Sequence, residues 1–341
     1  MSIVYHTGGR PSRRKILQGG IGWATIPFIP KIVYGGNKNY QSRRILVLLH
    51  LSGGNDGLNT VIPYTDPLYY EFRPQLSRAA KHALAINSQI GIHSSLASLV
   101  PLFRRGHLAI IQGVGYENPD YSHAGSCRIW TSGQTDPTIQ DSWWDRILKD
   151  ITRQGSIMAS CVGSRCPATM ATTRLANIRV TAFDTDVTSP VENPVEYKPG
   201  HIRQTFTMLA RLVRSPKPPQ LIFGSIGGFD THTDQLERHT LVLGELGEAI
   251  ASFQYELEIR GMAERVILMV WSEFGRRPAE NAMGGTDHGS AGPIFLLGQK
   301  IRGGLYGKMP SLAHTDFGNL IPAVDFRTIY KDLAEQWLNW C

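Results

Sequence analysis

Residues 44–57 read RILVLLHLSGGNDG: an unbroken apolar run closed by a small, turn-forming cluster that ends in an acid. A short apolar run bounded this way reads as a strand buried on both faces, which is the habit of strands in a parallel sheet covered by helices. Four further runs have the same character, at 108–113, 220–226, 265–271 and 293–297. Between and after them lie amphipathic stretches at 94–105, 205–214, 234–260 and 326–340, and a helix is expected to run from Ser122 through Ile129. Alternation of this kind predicts an α/β fold, a three-layer α/β/α sandwich with a mainly parallel central sheet. The stretch 155–199, rich in Thr, Ser, Pro and Val and poor in periodicity, reads as a peripheral excursion over the core.

Upstream of this body the chain carries Ser12-Arg13-Arg14-Lys15-Ile16-Leu17, the pattern of a twin-arginine export signal. No acidic residue precedes it. The modestly apolar stretch 16–29 follows, too short for a membrane span and weakened as a helix by Gly19, Gly20, Gly22, Pro27 and Pro30. Residues 1–39 are therefore expected to be a signal peptide and linker, and 40–341 a single domain that acts in the periplasm or is otherwise exported. The twin-arginine translocase would be its partner during export, and the mature form would keep no membrane span.

The net charge of +7 is concentrated near the start: setting aside Arg10, Arg13, Arg14 and Lys15 leaves +3, which gives no case for nucleic acid. The four cysteines, Cys127, Cys161, Cys166 and Cys341, lack the paired spacing of a zinc ribbon. Cys161 and Cys166 would close a small disulfide loop in an oxidising compartment or remain two thiols.

In an open parallel sheet, ligands gather at the carboxyl ends of the strands. Asp56 follows the first strand, as a metal ligand or as part of an ordinary Asn-Asp-Gly turn. Ser122 stands before its helix, as a nucleophile favoured by the helix dipole or as a plain N-cap. Asp230, His232 and Asp234 alternate after the strand at 220–226; the imidazole favours zinc, manganese or iron over calcium, and Asp234 serves better as a helix cap. Glu273 and Arg276 follow the strand at 265–271, where Arg276 would clamp an anionic oxygen or make a salt bridge. His288 lies between glycines beside Asp287. Each residue has a bland reading, but their recurrence at predicted strand ends points to a shared site for divalent metal ions, one or two in number.

Taken in order, Gly53-Gly54-Asn55-Asp56-Gly57-Leu58-Asn59, Ser122-His123, Phe229-Asp230-Thr231-His232, Ser272-Glu273-Phe274-Gly275-Arg276 and Gly285-Thr286-Asp287-His288-Gly289 resemble the domain-of-unknown-function family 1501. The resemblance runs from about residue 10 to the end. That family is grouped with the alkaline-phosphatase-like superfamily, alongside sulfatases and metal-dependent phosphomutases, which implies an α/β/α sandwich and usually two metal ions. The resemblance places Asp56 at the first-strand aspartate, Ser122 at the nucleophile, Asp230 and His232 at one metal's acid and histidine, Glu273 at the later carboxylate and His288 at the late histidine. Two departures stand out: Asp234 replaces a histidine, and Glu273-Phe274 replaces Asp-His. The expected activity is metal-dependent hydrolysis of an anionic phosphate or sulfate ester, with zinc or manganese favoured. Asp56 and Glu273 would hold one ion, and Asp230, His232 and His288 the other. The alternative is a non-catalytic cell-envelope binding or assembly protein that keeps the fold and one structural metal.

Overall fold

The computed structural model describes residues 32–33, 44–136, 138, 143–144, 147, 159–163, 178–182 and 199–340. The twin-arginine motif and Cys166 lie outside the described residues, and so does the pairing of Cys161 with Cys166.

The run quoted first is β1 (Ile45–Leu51), buried along its whole length. Successive side chains of a strand point to opposite faces, and β1 serves two cores accordingly. Ile45, Val47, Leu49 and Leu51 enter one cluster, while Leu46 and Leu48 enter the other. The remaining strands used below are β2 (Leu108–Gly115), β3 (Ala159–Gly163), β4 (Ile178–Ala182), β5 (Leu221–Ile226), β6 (Val266–Trp271), β7 (Arg276–Glu280), β8 (Thr286–His288), β9 (Gly292–Leu297), β10 (Gly304–Tyr306) and β11 (Val324–Asp325). All but β7 and β8 form a nine-stranded sheet in the order β10-β2-β9-β6-β1-β5-β3-β4, with β11 also on β2. Every pairing in it is parallel except those of β9, which runs antiparallel between β2 and β6. β7 and β8 form a separate antiparallel hairpin above the strand ends.

Helices cover both faces. A 3₁₀ turn (Ser94–Leu99), α1 (Val100–Arg104), α3 (His201–Val213) and α4 (Gln235–Ile259) contribute to the cluster around Leu49. α2 (His123–Ser132) and α5 (Phe326–Asp332), with the π turn Leu333–Trp337, contribute to the other. The expected α/β class with a mainly parallel central sheet is what the chain adopts. No described helix is long and apolar enough to cross a membrane.

Two expectations need correction. The stretch 155–199 supplies β3 and β4, which extend the sheet along one edge rather than lying over its core. Upstream of residue 40 two described residues pack against the body. Ile32 and Val33 are buried, Val33 bridges Ile301, and the Arg302 amide donates to the Ile32 carbonyl. Asp234, expected to cap α4, holds the N-cap position in a left-handed conformation without a side-chain cap bond.

Leu49 is fully buried, and a Cβ built on Gly224 of the neighbouring strand would lie 3.0 Å from its Cδ1. Leu49→Ala should therefore lower unfolding stability by about 2–5 kcal/mol. Urea unfolding would show this as a lower midpoint at unchanged slope.

Candidate metal centre

The centre is built at the carboxyl ends of β1, β5 and β6, where three loops converge with the start of α2. The loop after β1 turns at Gly53, whose φ is +121° and whose added Cβ would stand 2.2 Å from the Asp230 amide nitrogen. Only glycine allows the two loops to touch. This approach directs the Gly53 and Gly54 amides onto the Glu273 carboxylate, at 2.8 and 3.3 Å.

Glu273 is wholly buried. Its Oε2 lies 2.9 Å from His50 Nε2, and its Oε1 lies 2.9 Å from His123 Nδ1. Burial opposes its ionisation, but the two histidines outweigh that and hold its pKa well below the usual carboxylate range. His123 in turn sits between two acids, with its Nε2 3.7 Å from Asp230 Oδ2. Burial alone would depress the His123 pKa; hydrogen bonds to Asp230 and Glu273 push it up to about 9.

Around Asp230 the imidazole protons are spent elsewhere, while Arg276 Nη2 donates to Asp230 Oδ1 and Arg276 Nη1 lies 3.4 Å from His232 Nε2. His288 Nδ1 lies 2.7 Å from the Tyr121 carbonyl, which only accepts, so Nδ1 carries the ring proton. His232 Nδ1 lies 3.5 Å from an Asp287 carboxylate oxygen and is assigned its proton for the same reason. Burial and then the Arg276 charge lower the pKa of His232 and favour its neutral form. With those tautomers neither Nε2 carries a ring proton, yet the two face one another at 2.9 Å and lie 3.1 and 3.3 Å from Asp230 Oδ1. Three electron-pair donors pointed together are a poor hydrogen-bond network but a good cation site. Ligands about 2.0–2.2 Å from a tetrahedral zinc stand roughly 3.2–3.6 Å from each other, close to these spacings. His123, Asp230 and His288 place donor atoms within 4.8 Å of one another. The residues present thus fit a divalent metal ion.

Sequence reasoning placed Asp230, His232, Glu273 and His288 in one site, and the fold brings these four together. His50, His123 and Cys127, whose donor atoms also cluster here, were not among the residues the sequence singled out as candidate ligands. His123 stood in a quoted motif beside Ser122. His50 was visible as the lone polar side chain within an apolar strand.

The other three candidates are engaged elsewhere. Asp56 is fully buried, caps the short helix Gly57–Thr60, receives Arg73 Nη1 at 2.6 Å and is also bonded by Gln235. Burial would raise its pKa, but Arg73 beside it holds the carboxyl below the usual range. Its oxygens belong to a structural network that continues through Asn55 to His239. Arg276 is buried too. It donates to the carbonyls of Gly53, Gly54, Phe229 and Thr286 and to Asp230, so its fork ties the loops together rather than facing an anion. Ser122 is exposed at the N-cap of α2; its Oγ accepts from the Gly125 amide at 3.1 Å and donates to Asp120 Oδ1 at 2.7 Å.

Two outcomes follow from the network under the site. Asp56→Asn leaves Arg73 buried without a counter-charge and should cost about 3–5 kcal/mol in urea unfolding, while bound metal per folded chain stays unchanged. Loss of the metal instead would make Asp56 a ligand. His239 is fully buried, and burial depresses its pKa to about 3, against roughly 6.5 for an unperturbed histidine. The unfolded chain therefore binds a proton that the folded one refuses. Stability from this group is present above about pH 6.5 and is lost at about 1.4 kcal/mol per unit as pH falls toward the lower value. His239→Gln should flatten that slope between about pH 6 and pH 4; an unchanged slope would remove His239 as its cause.

The fold has distant likenesses among solved structures. The C-terminal periplasmic domain of EcEptC from Escherichia coli, solved in complex with Zn, matches at 13% identity and a TM-score of 0.44, over 80% of this chain and 78% of that one. TAB5 alkaline phosphatase, in a mutant with Mg bound, matches at 10% identity and a TM-score of 0.47, over 87% and 98%. A protein in the alkaline phosphatase superfamily from Vibrio parahaemolyticus matches at 12% identity and a TM-score of 0.42, over 84% and 69%. No curated protein matches the sequence. Residues 190–334, which include Asp230, His232, Glu273 and His288, match the family described as Protein of unknown function (DUF1501).

Proposed function

We propose that the protein is an exported, metal-dependent hydrolase of phosphate or sulfate esters. The observation that carries this reading is the convergence of Asp230 Oδ1 with the Nε2 atoms of His232 and His288. Export rests on the twin-arginine motif at Arg13-Arg14, with the twin-arginine translocase as partner. The His232 side chain is 41% exposed, so the centre is open to an ester in solution.

Asp230, His232 and His288 would hold the ion, with His123 between it and Glu273; zinc or manganese suits this mixed oxygen and nitrogen set. When bound, such an ion polarises an ester oxygen as a Lewis acid. Ser122 supplies the nucleophile: its Oγ attacks phosphorus or sulfur while its proton passes to Asp120 Oδ1, and the N-terminus of α2 favours the negative charge that develops. The ester alcohol departs, and water then cleaves the enzyme ester. Arg276 acts only through position, holding Asp230 and the loop at Gly53.

The capping bonds of Ser122 and the buried, fully engaged Arg276 favour a second reading: a cell-envelope binding or assembly protein with a structural metal. The two separate on the purified exported form, assayed for bound metals and for turnover of aryl phosphate, phosphodiester and aryl sulfate. A hydrolase should lose metal and at least about a hundredfold in kcat/KM on Asp230→Ala or His288→Ala. It should keep its metal and lose turnover on Ser122→Ala. Bound metal without turnover on any ester establishes the second reading, and a metal-free protein of full stability removes both.

A further inference from the structure

A second set of donors lies on the far side of Glu273. His50 Nε2 is 2.9 Å from Glu273 Oε2 and 3.8 Å from Cys127 Sγ. The three donor atoms lie within 4.8 Å of one another and come from β1, α2 and the end of β6. All three residues are buried, and among the described residues Cys127 is a free cysteine.

We propose that His50, Cys127 and Glu273 form a second metal site, selective for zinc through a thiolate ligand, with Glu273 linked through His123 to the Asp230 centre. The link follows from the carboxylate itself: Oε2 faces His50 while Oε1 faces His123, whose other nitrogen lies 3.7 Å from Asp230. Orientation of the first ligand is built in. His50 Nδ1 lies 3.5 Å from Ser225 Oγ, directly across the β1–β5 pairing, which takes up that nitrogen and turns Nε2 toward Cys127 and Glu273. The His50 ring is stacked on Trp271 at 4.5 Å, and Trp271 on Trp130 at 5.0 Å, so rotation of the imidazole is blocked. Such outer contacts are what fix a metal-binding histidine. Cys127 lies four residues after His123 on α2, one turn along the same face, so one helix serves both centres.

The donor chemistry selects the ion. Zinc accepts sulfur, imidazole and carboxylate together, with ligands about 2.0–2.3 Å away and therefore roughly 3.2–3.7 Å apart. A thiolate disfavours magnesium, calcium and manganese, which prefer oxygen. Coordination converts the Cys127 thiol to a thiolate: the Zn–S bond forms, and the thiol proton is released to solvent.

This site goes beyond the proposed hydrolysis, and its test does not read ester turnover. The full chain, stripped with a chelator, is reloaded with cobalt(II), which reports sulfur ligation by a thiolate-to-cobalt charge-transfer band in the near ultraviolet. Wild-type protein should show the band. Cys127→Ser should lose it while keeping the visible cobalt absorption of the Asp230 centre, and its bound zinc should fall by about half. A cobalt-loaded wild type without the band, or a band that survives Cys127→Ser, overturns the proposal. Should the variant not fold, alkylation of wild-type Cys127 followed by peptide mapping replaces it. Zinc should protect Cys127 from the reagent, and equal labelling with and without zinc overturns the site. A protein that passes these tests but turns over no ester would sink the hydrolase reading and leave this one standing.

Discussion

A carboxylate without solvent governs this molecule. Glu273 is wholly buried, and an ionised carboxylate removed from water is stable only when its oxygens are met by donors or cations. Two backbone amides, from Gly53 and Gly54, and two histidines, His50 and His123, meet that demand. Each imposes its own geometry. The amides require a tight glycine turn at the end of β1, His50 requires β1 to lie beside β6, and His123 requires α2 to begin over the strand ends. The sheet order that sets β1 between β5 and β6 is thus also the order that satisfies one buried charge.

The cations around the centre have a comparable structural role. Arg276 collects carbonyls from two loops and the first residue of β8, and Arg73 neutralises Asp56 while also donating to the carbonyls of Arg277 and Pro278. Strand-end loops are ordinarily the mobile part of an α/β protein. Here they are tied to one another by guanidinium groups that are themselves buried, which fixes donor positions before any ligand arrives. Pre-positioning of this kind spares a site the free energy of ordering its own side chains when it binds.

Much of this was legible in the sequence, for physical reasons. The run 45–51 and its four counterparts announced themselves because burial on both faces leaves no polar position to interrupt them. Asp230, His232, Glu273 and His288 were legible because acids and imidazoles beside glycines at strand ends have few structural uses. What the sequence hid was competition for the same atoms. Nothing in the spacing shows that Arg73 folds back onto Asp56, or that four carbonyls claim Arg276. His50 passed unnoticed inside an apolar run, and Cys127 passed because cysteine was weighed for pairing with other cysteines rather than for its turn of helix from His123. The strands at 159–163 and 178–182, which end the sheet order on one side, lack the continuous apolar run that marks the central strands.

The short contact of Ile32 and Val33 with the body bears on proteolysis. The Ile32 amide lies 3.4 Å from Asp332 Oδ2, the Ile32 carbonyl accepts from Arg302, and both side chains are enclosed in the same core as Trp337. A cut after residue 39 would strip two side chains from that core and leave a hole beside Ile301. A chain that keeps this packing retains Ile32 and Val33, so the core itself sets how far from its start the chain tolerates cutting.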